Sequence, residues 1–433
     1  MGEPASVPVL LEESQRTRRL TLALVDDLDE RQKWGEPLPD LNPPIWEAGH
    51  VAWFHEYWVL RFQGDSRDPA PSIVADADRL YDSSAVPRAA RWRLPLLSWD
   101  ETVRYLDAVS EAVASVLLRR PDDARRRYFA QYALYHEQMH VESLWYTRQR
   151  LGYPAPRLGV LPPPPPEATV PKDAEIAGGP FMLGASPSAP FAFDNEKWAH
   201  PVDLPPFGIA RTLVTNAEFA AFVDDGGYRD PRWWSPEGWA WRQAEGAEHP
   251  LYWIQDGPHS WAVRWFDQVL PLHPTEPVVH VNWYEADAYC RWAGRRLPTE
   301  AEWERAACAD AVPGAKRAFP WGDTAPAPGL ACLEAWYGRP VDVRALAAGD
   351  SRDGVRQLTG NVWEWCADWF RPYPGFVPDP YRDYSEPWFG THRVLRGGSW
   401  VTPAFLLRNT WRNYYRPERR EVVAGFRTCR RDV

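Results

Sequence analysis

Five consecutive prolines, Pro162 to Pro166, divide this chain of 433 residues into two parts of different character. Proline has no backbone N–H and holds φ at about −65°, so the run favours polyproline II and cannot continue a helix. The chain is long enough for two or three domains. We therefore predict a first domain over residues 1–160, a proline-rich linker over 161–171 and a second domain over 172–433.

The part before the proline run has the pattern of helices separated by loops. Ser98 is followed three residues later by Glu101, the spacing of a capping box that begins a helix. Four helices are predicted here: Leu10 to Leu28, one opening at Pro43, Ser98 to Arg119, and Asp122 to Gly152. Four amphipathic helices in succession predict an antiparallel four-helix bundle.

The part after the proline run has short apolar stretches, many turns and a high density of Trp and Gly. Only two helices are clear from its sequence. One follows Asn282, and the other follows Thr299 with Glu302 three residues later in another capping-box pattern. We predict a loop-rich α+β domain, so that the fold class of the whole chain is a helical bundle followed by an α+β domain.

Composition excludes several classes of function. The net charge is −10, and the arginine clusters lie among acidic residues, which disfavours a nucleic-acid-binding surface. No apolar stretch approaches the roughly 20 residues of a membrane span, and the N-terminus lacks the pattern of a secretion signal, so the cytoplasm is the expected compartment. The five cysteines are widely spaced and form no CxxC pair, so any metal is expected to use His or carboxylate ligands.

Three histidines are candidate metal ligands. His136 and His140 lie four residues apart in the fourth predicted helix and face the bundle interior, where they can either bind one cation or form a hydrogen-bonded core pair. His50 also faces inward from the second predicted helix and supplies a third imidazole. Three imidazoles with open coordination positions suit Fe(II) or Zn(II). His55 points elsewhere on its helix and is the weaker candidate.

Two arginines, Arg88 and Arg91, lie in a connection of more than thirty residues between the second and third helices. A connection of this length is a candidate for function. A pair of arginines near a metal would suit a carboxylate or another anionic group of a substrate, although an ordinary surface charge pair is an equally good interpretation. The 26 tryptophans suit a site that holds a sugar face or an organic cation.

The combination of motifs resembles the ergothioneine sulfoxide synthase (EgtB-like) family. The motifs are "GHVAWFHE", "HEQMH", "GRRLPTEAEWERA", "GNVWEWCADW" and "VLRGGSW", and the resemblance covers nearly the whole chain. It implies a DinB-like bundle joined to a domain of the formylglycine-generating-enzyme, or C-type-lectin-like, fold. It also implies that His50, His136 and His140 bind Fe(II), and that O2 drives bond formation between a sulfur donor and the imidazole C2 of hercynine, which is trimethylated histidine.

The same resemblance implies roles for further residues. "YRDYSEPWFG" matches a catalytic tyrosine motif, with Tyr381 as the first choice for a proton donor and Tyr384 as the second. The remaining residues are implied to bind substrates: Asn413 for hercynine, and Arg88, Arg91 and Arg419 for the sulfur donor.

Two departures from the family pattern bear on the donor. Met139 stands where the family has a glutamine that helps to hold hercynine. Tyr414 and Tyr415 follow Asn413, where the branch that uses γ-glutamylcysteine has Trp-Asp. Loss of that carboxylate removes a partner for an ammonium group, and two phenols suit a sugar. The closest resemblance is therefore to the selenoneine synthase branch, in which a selenosugar donates selenium to hercynine.

Several alternatives stay open at this point. One is an ergothioneine sulfoxide synthase that uses γ-glutamylcysteine or cysteine, and another is a metal-dependent thiol transferase built on a DinB-like bundle. A formylglycine-generating enzyme would need a reactive cysteine pair near its C-terminal segment, where Cys429 stands alone. A lectin-like binding module without metal is the non-enzymatic alternative.

Overall fold

The computed structural model describes residues 2–62, 70–308 and 316–431. The chain forms two compact units, Met1–Arg157 with Ser188–Phe191, and Leu158–Pro187 with Ala192–Val433. The proline run belongs to the second unit, and directly before it the N–H of Leu161 donates to the carbonyl of Trp336 at 2.6 Å. The exact domain limits predicted above stay a prediction. The first residues of the long connection, 63–69, lie outside the described residues.

The first unit is helical, and it confirms the four predicted helices. Its α-helices are α1 Val7–Ala23, α2 Glu30–Trp34, α3 Pro44–His55, α4 Ala77–Tyr81, α5 Trp99–Arg119 and α6 Ala124–Leu151. A π-helix, Glu56–Arg61, continues α3, and a 3-10 helix, Arg88–Arg93, precedes α5. Helix α3 packs against both α5 and α6, while α1 packs against α6. All twelve residues of α3 are buried, so its polar side chains must find partners inside the unit.

Local signals set the ends of the longer helices. The Ser98 side chain accepts a hydrogen bond from the N–H of Glu101, and the Glu101 side chain accepts one from the N–H of Ser98, so α5 begins with the predicted capping box. Helix α6 ends at Gly152 in the left-handed conformation, with φ 67°.

Helix α1 ends earlier than predicted, at Ala23 rather than Leu28. The buried Arg148 of α6 donates hydrogen bonds to the carbonyl of Leu24 and the carboxylate of Asp27, at 3.1 and 2.7 Å. These contacts bind the chain in a turn directly after α1. The sequence pattern could not reveal the difference, because Arg148 lies 121 residues or more from both partners.

The second unit combines short strands with helices, as predicted. Its helices are α7 Asn216–Asp224, α8 Pro236–Glu245, α9 Trp283–Trp292 and α10 Glu300–Cys308. The prediction of only two clear helices is therefore incomplete. Helices α7 and α8 begin at the N-caps Thr215 and Ser235, and Thr215 forms a capping box with Glu218 that the sequence already contained.

Among the described residues of the second unit, the strands form four small sheets. The strands are β1 Asp173–Ile176, β2 Gly179–Leu183, β3 His200–Leu204, β4 Phe207–Ala210, β5 Trp253–Gly257, β6 Ser260–Trp265, β7 Gln268–Pro271, β8 Arg295–Arg296, β9 Trp363–Trp369, β10 Arg393–Arg396, β11 Asn413–Tyr415, β12 Ala424–Gly425 and β13 Cys429–Arg430. Their orders are β1-β4-β13-β8, β11-β10-β9-β12, β2-β3 and β5-β6-β7. Strand β11 is thus an edge strand, paired antiparallel with β10.

Side chains from α10 and from both four-stranded sheets form the core of the second unit. Trp303, Ile209, Cys366 and Val394 belong to one buried apolar cluster. All five cysteines are buried and free. Within the described ranges, no helix is both long and apolar enough to cross a membrane.

Replacing Ser98 with Ala removes the capping box of α5 and should lower the free energy of unfolding by about 1 kcal/mol, the usual effect of losing an N-cap. The matched control is Ser115→Ala in the interior of the same helix, where alanine favours the helix. Urea unfolding followed by circular dichroism checks both variants. Equal stability of Ser98→Ala and the wild type would contradict the assignment of this cap.

Candidate metal centre

Helices α3 and α6 bring three histidine side chains together inside the first unit. His50 comes from α3, and His136 and His140 come from consecutive turns of α6. One ring nitrogen from each can be chosen so that all three lie within 4.8 Å of one another. The structure thus places together the three residues that the helical pattern predicted.

The first ligand, His50, is oriented by a backbone carbonyl. Its Nδ1 lies 2.6 Å from the carbonyl oxygen of Tyr81, at the end of α4. A carbonyl can only accept, so Nδ1 carries the proton and Nε2 presents its lone pair to a metal.

This approach of Tyr81 depends on Gly49, the residue before His50. A Cβ at position 49 would lie 2.3 Å from the Tyr81 ring. That separation is too short for any side chain, so only glycine permits the contact between α3 and Tyr81.

The second ligand, His140, faces a buried carboxylate. Its Nδ1 lies 3.3 Å from Oε2 of Glu47, whose side chain is 1 % exposed. Neither atom makes a hydrogen bond within the described residues, so the contact between them is electrostatic. The carboxylate favours the proton on the nearer nitrogen, Nδ1, which leaves the lone pair of Nε2 for a metal.

The third ligand, His136, is held by an aromatic ring. It stacks on Phe54 of α3 with ring centroids 3.6 Å apart and planes inclined by 7°. Burial, followed by the neighbouring His140, lowers the pKa of both His136 and His50 well below the ordinary value. Both rings are therefore neutral at neutral pH, which is the form that binds metal.

These features fit a divalent cation. Glu47 forms no ion pair with Lys or Arg in the described part of the chain, and its second oxygen, Oε1, accepts from the Asn42 amide and the Ser143 hydroxyl. The buried Glu47 carboxylate beside His140 favours positive charge at the histidine cluster. Three nitrogen ligands and one buried carboxylate behind them suit Fe(II) or Zn(II).

His55 takes no part in this cluster, in agreement with its weaker ranking. Its Nε2 lies 2.9 Å from Oε2 of Glu137, a residue that also pairs with Arg18 at 2.9 Å. Although burial opposes it, the positive charge of Arg18 holds the pKa of Glu137 far below its usual range. Glu137 of α6 therefore connects His55 of α3 with Arg18 of α1 in the interior of the unit.

The other predicted residues of the first unit differ in exposure. Met139 is half-buried, between the two ligands of α6. The Arg88 side chain is 43 % exposed and lies 3.7 Å from Asp40. Arg91 is buried, and its guanidinium stacks 3.9 Å from the Trp46 ring centroid. The two arginines therefore have different surroundings although they share one short helix.

The predicted tyrosines lie in the second unit. Tyr381 is half-buried and precedes the 3-10 helix Arg382–Tyr384. Tyr384 stacks on Phe193 with ring centroids 4.3 Å apart, and its oxygen accepts from Nε1 of Trp411 at 3.2 Å. Burial raises the pKa of the Tyr384 phenol well above the ordinary value, so this phenol keeps its proton at neutral pH.

Strand β11 carries the three residues Asn413, Tyr414 and Tyr415. Tyr414 stacks on Phe370 with centroids 4.0 Å apart, and Tyr415 lies against the guanidinium of Arg419 at 5.2 Å. Arg419 forms an ion pair with the buried carboxylate of Glu421. The positive charge of Arg419, the residue predicted to bind the sulfur donor, is therefore balanced within the second unit.

Buried charges hold β11 in place. Arg412, directly before the strand, donates to both carboxylate oxygens of Glu300 at 2.6 and 3.0 Å. Arg396 of β10 donates to the same carboxylate at 2.9 Å. Because both arginines bind the carboxylate of Glu300, the start of β11 is fixed relative to β10 and α10.

Sequence reasoning missed the residues that orient the ligands, chiefly Glu47, Tyr81 and Phe54. Glu47 lies three residues before His50, a helical spacing that could have indicated a carboxylate near the site. Tyr81 contributes only its carbonyl, so its side chain carried no signal.

Comparison with known proteins decides the family. Two family models match the chain: the sulfatase-modifying factor enzyme 1-like domain over residues 160–432, and the DinB superfamily over residues 13–144. The hercynine oxygenase of Mycolicibacterium thermoresistibile is 42% identical over 419 residues, which cover 95% of this chain and 92% of that protein. The chain belongs to the hercynine oxygenase family. This confirms the predicted family, its two-part fold and its class as an enzyme.

Two further relatives show how much of the chain each similarity covers. The hercynine oxygenase of Mycolicibacterium smegmatis is 40% identical over 420 residues, covering 95% of this chain and 96% of that protein. The formylglycine-generating enzyme of Streptomyces coelicolor is 34% identical over 281 residues, covering 56% of this chain and 81% of that protein. The similarity to hercynine oxygenases extends over nearly the whole chain, whereas the similarity to formylglycine-generating enzymes covers little more than half of it.

Replacement of His136 or His140 with Ala should abolish stoichiometric binding of Fe(II), because two imidazoles from different helices form a much weaker site than three. Anaerobic titration followed by metal analysis measures this loss. His55→Gln is the matched control, since it changes a buried histidine of α3 outside the cluster and should retain iron. Stoichiometric iron in the His136→Ala, His140→Ala double variant would contradict the assignment.

Proposed function

We propose that this chain is an Fe(II)- and O2-dependent enzyme that forms a carbon–chalcogen bond at the imidazole C2 of hercynine. The observation that supports this best is the cluster of His50, His136 and His140, whose chosen ring nitrogens lie within 4.8 Å of one another. Nδ1 of His50 is held by a carbonyl, and Nδ1 of His140 lies beside a buried carboxylate. Iron bound there would activate O2 and leave positions for substrates. The names of the relatives support hercynine as the acceptor.

Hercynine carries a trimethylammonium group, which has no N–H to donate. Its recognition must therefore come from aromatic faces and from charge, at about 0.5–2 kcal/mol per well-placed ring. We assign this role to aromatic side chains of the tryptophan-rich second unit. Asn413 would hold the carboxylate end, and Met139 of the first unit would be an apolar contact. Histidine, which lacks the methyl groups, would then be a poor acceptor.

For the donor we propose a selenosugar. Position 415 is a tyrosine, and the nearby carboxylate of Glu421 is already paired with Arg419, so the ammonium group of γ-glutamylcysteine would lack a counter-charge. Tyr415 offers a ring and a hydroxyl to a carbohydrate. Tyr414 would contribute its hydroxyl, because one face of its ring is stacked on Phe370.

The arginines would bind the remaining polar groups of the donor. Arg88 and Arg419 can donate several hydrogen bonds each to hydroxyl or carboxylate oxygens. Arg91 belongs to the same proposal by family resemblance, but its buried contacts also support a different role, which is developed in the next section.

The proton donor in this proposal is Tyr381, with Tyr384 as the second choice. A phenol can deliver a proton without being charged at neutral pH. The Tyr384 oxygen accepts a hydrogen bond from Nε1 of Trp411, which fixes the position of this phenol. Tyr381 lies at the start of the same short helix.

Tyr381→Phe should retain Fe(II) and hercynine binding while losing bond formation, because only the phenolic proton is removed. Tyr384→Phe, made in parallel, tests the second choice. Single-turnover product analysis separates bond formation from simple oxidation of the donor. An unchanged product yield in Tyr381→Phe would remove this residue from the mechanism and leave Tyr384 as the candidate.

The choice of donor is tested by direct competition. We expect 1-selenoglucose with hercynine and O2 to give more product than γ-glutamylcysteine or cysteine, measured by mass spectrometry, and histidine in place of hercynine to give little. Tyr415→Asp, which restores a carboxylate, should shift the preference towards γ-glutamylcysteine. A preference of the wild type for γ-glutamylcysteine would make this chain an ergothioneine sulfoxide synthase, and turnover of a thiol without O2 would indicate a thiol transferase.

A further inference from the structure

Arg91 lies deep in the first unit, in the connection that precedes α5. It is 7% exposed, and its guanidinium donates to the carbonyls of Val86 and Ser83 and to the Asn42 amide oxygen at 3.2, 3.1 and 2.8 Å. A buried guanidinium with donors directed to three different oxygens has one orientation.

One path leads from Arg91 to His140. A guanidinium has donors only, so the oxygen of the Asn42 amide must face Arg91, and the amide nitrogen must face the other way. That nitrogen donates to Oε1 of Glu47 at 3.0 Å. With Oε1 held there, Oε2 of Glu47 is the oxygen that lies 3.3 Å from Nδ1 of His140.

A second path leads from Arg91 to His50. The guanidinium lies 3.9 Å from the centre of the Trp46 ring, which is fully buried and donates from Nε1 to the carbonyl of Leu80 at 2.8 Å. Trp46 in turn stacks on His50, with ring centroids 4.7 Å apart and planes inclined by 11°. Guanidinium, indole and imidazole therefore form one column, which fixes the plane of the His50 ring.

We propose that Arg91 is a positioning residue for the metal centre, acting on His140 through Asn42 and Glu47 and on His50 through Trp46. This inference rests on the proposed metal site. It gives Arg91 a role that does not require contact with a substrate. It also explains why the two arginines of one short helix differ, since the Arg88 side chain is 43% exposed and only Arg91 is connected to the ligands.

The chain offers a matched control in Arg148. This arginine is also buried and also donates to carbonyl and carboxylate oxygens, namely those of Leu24, Pro154 and Asp27. It lies on α6 two turns beyond His140 and has no contact with the three ligands. Arg91→Met and Arg148→Met both remove a buried guanidinium, but only the first breaks the two paths.

The test is an anaerobic titration of the full chain with Co²⁺, which reports affinity and, through its visible absorption, the geometry of coordination. Arg91→Met should weaken Co²⁺ binding by roughly 10- to 100-fold, the usual effect of losing a residue that orients metal ligands, and should alter the spectrum. Arg148→Met should lower the thermal midpoint of the metal-free protein but keep the wild-type affinity and spectrum. Arg91→Lys should behave like Arg91→Met, because an ammonium group cannot reproduce the planar fork.

Asn42→Leu provides a second measurement that does not depend on the folding of Arg91 variants. It breaks only the path to His140, so it should weaken Co²⁺ binding less than Arg91→Met. In the double variant, the losses should be less than multiplicative, because both residues act on one path. Wild-type affinity and spectrum in both Arg91→Met and Asn42→Leu would overturn the inference. Failure of the wild type to bind Co²⁺ through its three histidines would overturn the proposed function, and this inference with it.

Discussion

The complete burial of helix α3 is the constraint on which the rest of the first unit depends. Every polar side chain on this helix must be satisfied without water, and each finds a partner on a different element. His50 is paired with the Tyr81 carbonyl, Glu47 with Asn42 and Ser143, and His55 with Glu137 of α6. His50, which we propose as a metal ligand, is thus part of the same network that makes burial of the helix possible.

In the second unit, buried charged side chains are paired with one another. Glu300 receives Arg396 and Arg412, and Arg396 also contacts Glu304, with all four side chains at least nine-tenths buried. Buried pairs of this kind often add little stability, but their directed hydrogen bonds select one arrangement of the chain. Here the ion pairs fix the position of β11, because Arg412 directly precedes this strand. The strand carries Asn413, Tyr414 and Tyr415.

Much of this could be predicted from sequence, because the decisive signals are local. Four-residue spacing on one helix places His136 and His140 together, and the capping box at Ser98 marks the start of α5. The partners of the ligands were beyond reach, since Tyr81 lies 31 residues from His50 and acts through its backbone. The sequence indicated Arg91 as a cation near the site. It could not indicate the oxygens that accept its hydrogen bonds, because these approach Arg91 only when the connection folds around α3. The early end of α1 was hidden for the same reason, because its cause is Arg148 of α6.

Gly49 shows that the geometry of the proposed metal site also depends on an absent side chain. The connecting segment brings its carbonyl to His50 only because α3 has no Cβ on that face, where one would lie 2.3 Å from the Tyr81 ring. A designer who transferred the three histidines to another helical bundle would reproduce the ligands but not their orientation. The gap left by one missing methyl group, and the carbonyl that enters through it, would have to be transferred as well.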